Sequence, residues 1–160
     1  MRFNGLVLVA STAMFITACG GGEKPKADSA AAAAAPAPAA ATIPAAPATG
    51  ATVEMKMIGD GTSYKFQPAD IVIKQGDAVK FTVVSGQPHN VSFDPAKLPA
   101  DVKAQLSANM KDQSAELQSP MLLNANDSYT ISFAKIKPGK YEVFCTPHNA
   151  FNMKGTITVQ

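Results

Sequence analysis

Tryptophan is absent from this 160-residue chain, arginine occurs once, at Arg2, and there are only two cysteines and two histidines. Each scarcity excludes something. With 14 basic residues against 12 acidic ones and no cluster of arginine, the chain lacks the basic stripe that grips a phosphate backbone, so nucleic acid is not an expected partner. Two cysteines cannot build a disulfide-rich scaffold. Two histidines are too few for a site needing three or more imidazoles. The apolar run from Gly5 to Ile16 is a dozen residues, short of the roughly 20 that span a bilayer.

What is present divides into three parts. Residues 1–19 read as a leader: Arg2 supplies positive charge, Gly5 to Ile16 the apolar stretch, and Ala18 a small residue before a candidate cleavage point. Ile16-Thr17-Ala18-Cys19 resembles a bacterial lipobox, although leucine is commoner at its first position; the resemblance implies a lipid on Cys19. An ordinary cleaved leader with a cysteine nearby is the plainer alternative. Residues 20–52 read as a disordered tether, because 20 of the 28 positions from 25 to 52 are Ala or Pro. Such a composition buries too little area to offset chain entropy. By analogy with the sorting of the lipoproteins this segment resembles, Gly20 rather than Asp after Cys19 permits outer-membrane placement. The expected location is therefore the cell envelope, on the periplasmic side of a membrane.

Residues 53–160 carry the folded unit, nearly neutral with 11 Lys against 10 Asp and Glu. Val53 to Ile58 alternates apolar and polar, the signature of a half-buried strand. Ile71 to Lys74, Val79 to Val84, His89 to Phe93, Ser128 to Ala134, Tyr141 to Phe144 and Gly155 to Val159 read as further strands, broken by turns such as Gly59-Asp60-Gly61 and Lys137-Pro138-Gly139-Lys140. Met55 and Met57 share a core face. Short strands so separated predict an all-β sandwich or barrel. Pro99 to Met110 departs from this, with Val102, Leu106 and Met110 four apart, and predicts a short helix or helical loop.

The chemistry concentrates in Phe144-Cys145-Thr146-Pro147-His148-Asn149-Ala150-Phe151-Asn152-Met153. Cys145, His148 and Met153 fall on the loop between the last two strands, and a compact loop can aim all three at one point. His89 lies 56 residues upstream, and a sandwich can bring its strand beside that loop. Taken singly, Cys145 reads as a small buried hydrophobe, His89 as a satisfied core histidine and Met153 as core filler. Taken together they form the donor set of electron-transfer copper: a soft thiolate, two imidazoles and a weak thioether.

These motifs resemble those of the plastocyanin and pseudoazurin branch of the cupredoxins. The ligand loop matches C-x-P-H-x4-M, and Pro88-His89-Asn90-Val91-Ser92-Phe93-Asp94 matches the segment of the first histidine. Tyr64 to Pro68, Ile71 to Gly76, Leu122 to Asn124 and Gly155 to Val159 extend the likeness over essentially all of 53–160. The resemblance implies an antiparallel Greek-key β-sandwich and one type 1 copper ion. His89, Cys145 and His148 would be its close ligands and Met153 the axial one. It also implies that Asn90 steadies the thiolate by hydrogen bonding, and that His148 is the exposed ligand within an apolar ring. Pro88 and Phe151 are candidates for that ring, with a core position an equal alternative for Phe151.

By the same resemblance, the chain carries one electron between redox proteins such as cytochromes or membrane oxidoreductase complexes, as a monomer. Phe144 stands where plant plastocyanins have a Tyr, and the long connection mixes Asp94, Asp101, Asp112 and Glu116 with Lys97, Lys103 and Lys111. Association is thus expected to depend weakly on salt. A periplasmic copper-binding and transport protein would use the same ligands. A structural zinc site competes too, although copper binds such donors more tightly. An oxidase or nitrite reductase would need further histidines, and a Cys/His hydrolase would leave His89 and Met153 unexplained, so an enzyme is not expected.

Overall fold

A computed structural model describes residues 43–160; the leader, Cys19 and linker residues 20–42 lie outside the described residues. The strands are β1 (Thr52–Gly59), β2 (Tyr64–Gln67), β3 (Asp70–Ile73), β4 (Ala78–Val83), β5 (Ser128–Ser132), β6 (Gly139–Phe144) and β7 (Lys154–Val159), with one helix, α1 (Ala100–Asn109), between β4 and β5. One sheet has the order β2-β1-β4-β5 and the other β3-β7-β6. Period-two alternation explains how they pack. Met55 and Met57, Ile71 and Ile73, Val79, Phe81 and Val83, Tyr141 and Val143, and Ile157 and Val159 point into a shared core. Each large side chain buried this way stabilises the fold by about 1.5–3 kcal/mol.

The pairing is mixed rather than antiparallel throughout. β1 runs parallel to β4, and β3 parallel to β7. The chain between the members of each pair passes through the opposite sheet, which gives it the length a parallel return requires. The helix lies where the spacing of four places it, with Val102, Leu106 and Met110 buried.

His89–Phe93 is not a strand. Its residues are all buried, so no solvent face exists to alternate with. It is held by isolated bridges, His89 to Leu122 and Ser92 to both Gln118 and Phe144, and closes the core between 117–122 and the end of β6. A continuous ladder would need one straight neighbour along its whole length, and two different segments share it instead.

The folded unit also begins earlier than the composition implies. Residues 43–51 lie along the domain: Ala46 is 6% exposed and its N–H donates to Asn109 Oδ1 at 2.8 Å, while Gln105 Nε2 donates to the Pro44 carbonyl at 3.3 Å. The Thr49 and Gly50 amides donate to the Gly76 carbonyl, each at 2.9 Å. Backbone pairing and a buried amide hold what alanine side chains cannot. This strap meets the end of the sandwich where β4 starts. At the other end β1, β4 and β6 finish, and there the candidate ligands gather.

Candidate metal centre

Cys145 is the first residue after β6 and Met153 the last before β7. The Cys145 N–H donates to the Met153 carbonyl at 3.1 Å, which extends the β6–β7 ladder one step and closes the loop at its base. Inside it, the His148 N–H donates to the Cys145 carbonyl and the Met153 N–H to the His148 carbonyl, both at 3.2 Å. Asn149–Phe151 forms one 3-10 turn, and Asn152 then takes a left-handed conformation at φ 57° and ψ 36°, which asparagine tolerates better than most residues. The loop is therefore tied at its ends and its middle.

His89 is fixed from both sides. Its backbone pairs with Leu122 in both directions, at 3.0 and 2.8 Å. Its Nε2 lies 2.9 Å from the Ser85 carbonyl; since a carbonyl only accepts, this nitrogen carries the proton and Nδ1 is left with a free lone pair. That Nδ1 lies 3.6 Å from Cys145 Sγ, and His148 Nδ1 approaches the same sulfur at 3.4 Å. The three donor atoms lie within 4.8 Å of one another, and all three residues are buried. Met153, also fully buried, sits at the base of the same loop.

Burial sets the protonation of this cluster. It raises the Cys145 thiol above its ordinary value, against the backbone N–H groups of Asn90 and His148, which favour the thiolate. It lowers His89, against the Ser85 carbonyl, and lowers His148, where the neighbouring His89 adds to the effect. Two imidazoles held toward their neutral form, with the His89 Nδ1 lone pair turned inward, thus face a sulfur that needs a positive partner to lose its proton. A soft cation supplies that partner, so the donor set fits copper.

The role expected of Asn90 is divided. Its backbone N–H faces the thiol, while its side chain clamps Thr146: Oδ1 accepts from the Thr146 N–H at 2.8 Å and Nδ2 donates to Thr146 Oγ1 at 3.3 Å. Thr146 Oγ1 also meets Ser92 Oγ at 3.0 Å and Gln118 Nε2 at 3.2 Å. Pro88 and Phe151 are both exposed, which places Phe151 at the surface rather than in the core. His148 is not the exposed ligand of expectation: it is only 6% exposed, because Tyr64 stacks on it with ring centroids 3.7 Å apart and planes 11° apart. Sequence reasoning assigned no role to Tyr64, Thr146 or Ser85. Ser85 acts through its carbonyl, which leaves no mark in a sequence, and Tyr64 depends on strand pairing.

Residues 53–160 match the family of copper-binding proteins, plastocyanin/azurin family, and the chain belongs to it. It is a cupredoxin, and plastocyanin-like cupredoxins are copper-dependent electron carriers that work with redox partners, not enzymes.

Among its relatives, the chloroplastic plastocyanin of Physcomitrium patens is 40% identical over 114 residues, 71% of this chain; the chain spans 60% of that protein's length. The plastocyanin of Dryopteris crassirhizoma is 37% identical over 105 residues, 64% of this chain and 96% of that protein. The oxidised structure of plastocyanin from that species superposes with a TM-score of 0.54 at 35% identity, covering 68% of this chain and all of the other.

Proposed function

We propose that this protein is a membrane-tethered blue-copper carrier that shuttles one electron between redox proteins, such as cytochromes or membrane oxidoreductase complexes. The observation that carries the reading is the Cys145 sulfur set between the Nδ1 atoms of His89 and His148, at 3.6 and 3.4 Å, with every donor buried. His89 and His148 would hold the ion through their imidazoles, Cys145 through its thiolate, and Met153, buried at the base of the same loop, would add its weak thioether. Copper supplies a one-electron couple at this site. The chain's part is to hold the donors still. The loop's internal hydrogen bonds, the Ser85 carbonyl on His89 and the Asn90 clamp on Thr146 fix these donors in place, and would limit the rearrangement that a change of charge on the ion asks of them. The same closure favours retention of the ion over its transfer, which speaks against a copper-delivery role.

Tethering is the second part of the proposal. Ile16-Thr17-Ala18-Cys19 supports a lipid on Cys19, and the Ala/Pro-rich stretch after it supports a spacer. The domain then works as a monomer on the periplasmic side of the envelope, where the tether raises its effective concentration near membrane partners.

The copper-loaded protein is expected to show intense visible absorption from thiolate-to-copper charge transfer and a reversible one-electron couple. Cys145→Ser is expected to abolish the band while the fold survives. A colourless, redox-silent copper complex would falsify the reading. Expression with [³H]palmitate tests the anchor: label is expected in the wild type and not in Cys19→Ala, and an unlabelled wild type refutes tethering.

A further inference from the structure

His148, the ligand nearest the surface, is covered, and its cover is built rather than casual. Tyr64 opens β2 and pairs with Gly59 across the β1–β2 ladder. A Cβ on Gly59 would overlap the Tyr64 ring, and one on Gly86 would overlap the Gly59 backbone. Two glycines thus clear a flat seat, and a cross-strand ring lying over glycine is a known way to fill such a gap. On its other side the ring stacks on His148. Phe151, 50% exposed, leans on the same ring, with centroids 4.9 Å apart and planes at 53°. The Tyr64 hydroxyl makes no hydrogen bond among the described residues, so the ring's position rests on stacking and not on its polar tip. The outermost layer over the centre on this side is therefore a pair of aromatic rings.

We propose that Tyr64 is a specificity-determining residue of the metal centre: it caps His148, so that electrons are exchanged across the Tyr64–Phe151 aromatic pair and not at a bare imidazole. This rests on the copper reading above. Electron transfer weakens steeply with separation, so a small hydrated redox ion is held off by the thickness of the cap. A protein partner with its own apolar surface packs against the pair and gives up less water in doing so. The cap thereby favours macromolecular partners over small hydrophilic oxidants and reductants.

The capping contact is tested first on the full chain without copper. NMR is expected to find the His148 ring protons shifted upfield by the Tyr64 ring current in the wild type and in Tyr64→Phe. In Tyr64→Leu they return to ordinary positions. A thiol reagent is expected to modify Cys145 several-fold faster in Tyr64→Leu than in either aromatic form. With copper bound, exchange with hexacyanoferrate and with hexaammineruthenium, which are of opposite charge, is expected to rise several-fold in Tyr64→Leu and stay near wild type in Tyr64→Phe. Ordinary His148 shifts in the wild type overturn the cap. Rates unmoved in Tyr64→Leu, in a protein that remains blue, overturn the specificity role alone. A wild type that is not blue overturns the copper reading and this inference with it, while the NMR result still reports whether the cap exists.

Discussion

The two ends of the sandwich are each stapled by a buried asparagine, and the staples differ. At the metal end Asn90 spends its side chain on one residue, Thr146, and its backbone N–H on the Cys145 thiol. At the far end Asn109 spreads its bonds over four residues. Its Oδ1 accepts from Ala46 and Gln105, at 2.8 and 2.9 Å, and its Nδ2 donates to the carbonyls of Ser132 and Ala134, at 2.9 and 3.0 Å. The far staple uses its full bonding capacity to join strap, helix and strand end, and so serves the fold. The near one holds a loop against a group whose charge changes with its ligand, and so serves the site. The same amide does structural work or functional work according to what it ties down.

Mutation separates the two. The largest loss is expected for Asn109→Ala, which strands the Ala46 N–H and two carbonyls; chemical denaturation should find about 3 kcal/mol of lost stability, with the blue absorption unchanged. A shifted band in that variant would show that the ends are coupled and dissolve the contrast. Asn90→Ala is expected to cost about 2 kcal/mol, since fewer groups are stranded, but to move both the absorption band and the reduction potential. If it lowers stability and leaves the spectrum alone, Asn90 is a second structural staple and nothing more.

The smallest effect is expected at Asp60, in the exposed turn before Tyr64. Its carboxylate accepts from the Thr62 and Ser63 amides and the Thr62 hydroxyl, which lowers its pKa from 3.8 to about 2. A depressed carboxylate stabilises the fold fully above its unfolded value and stops doing so as pH falls through its folded one. Thermal melts of Asp60→Ala and wild type should therefore differ slightly at neutral pH and converge as the pH drops from about 4 toward 2. A gap that persists at the acid limit would assign the turn's stability to something other than this charge.

Legibility in the sequence followed the range of the interaction. Alternation in Val53 to Ile58 and in Val79 to Val84 is local, and those strands stand within a residue of where the pattern puts them. The spacing of Val102, Leu106 and Met110 located α1 for the same reason. His89 to Phe93 shows the failure: its apolar alternation mimics a strand, yet its neighbours come from two distant segments. The strap failed the other way, since Ala and Pro read as linker until Asn109, 63 positions on, accepts the Ala46 N–H. The Tyr64 cap needed the β1–β2 register, with Gly59 opposite, before it could be seen at all.

By itself the sequence determined the kinds of donor available and their scarcity: one cysteine and two histidines in the folded part, with a methionine eight residues past the cysteine. Those are properties of side chains and of short spacings, which need no fold to be read. Tertiary structure decided that His89 meets Cys145 across 56 residues, that Nδ1 rather than Nε2 faces the sulfur, and that an aromatic ring covers His148. Each of these depends on which distant backbone lies alongside, and that is set by the packing of two sheets around one core.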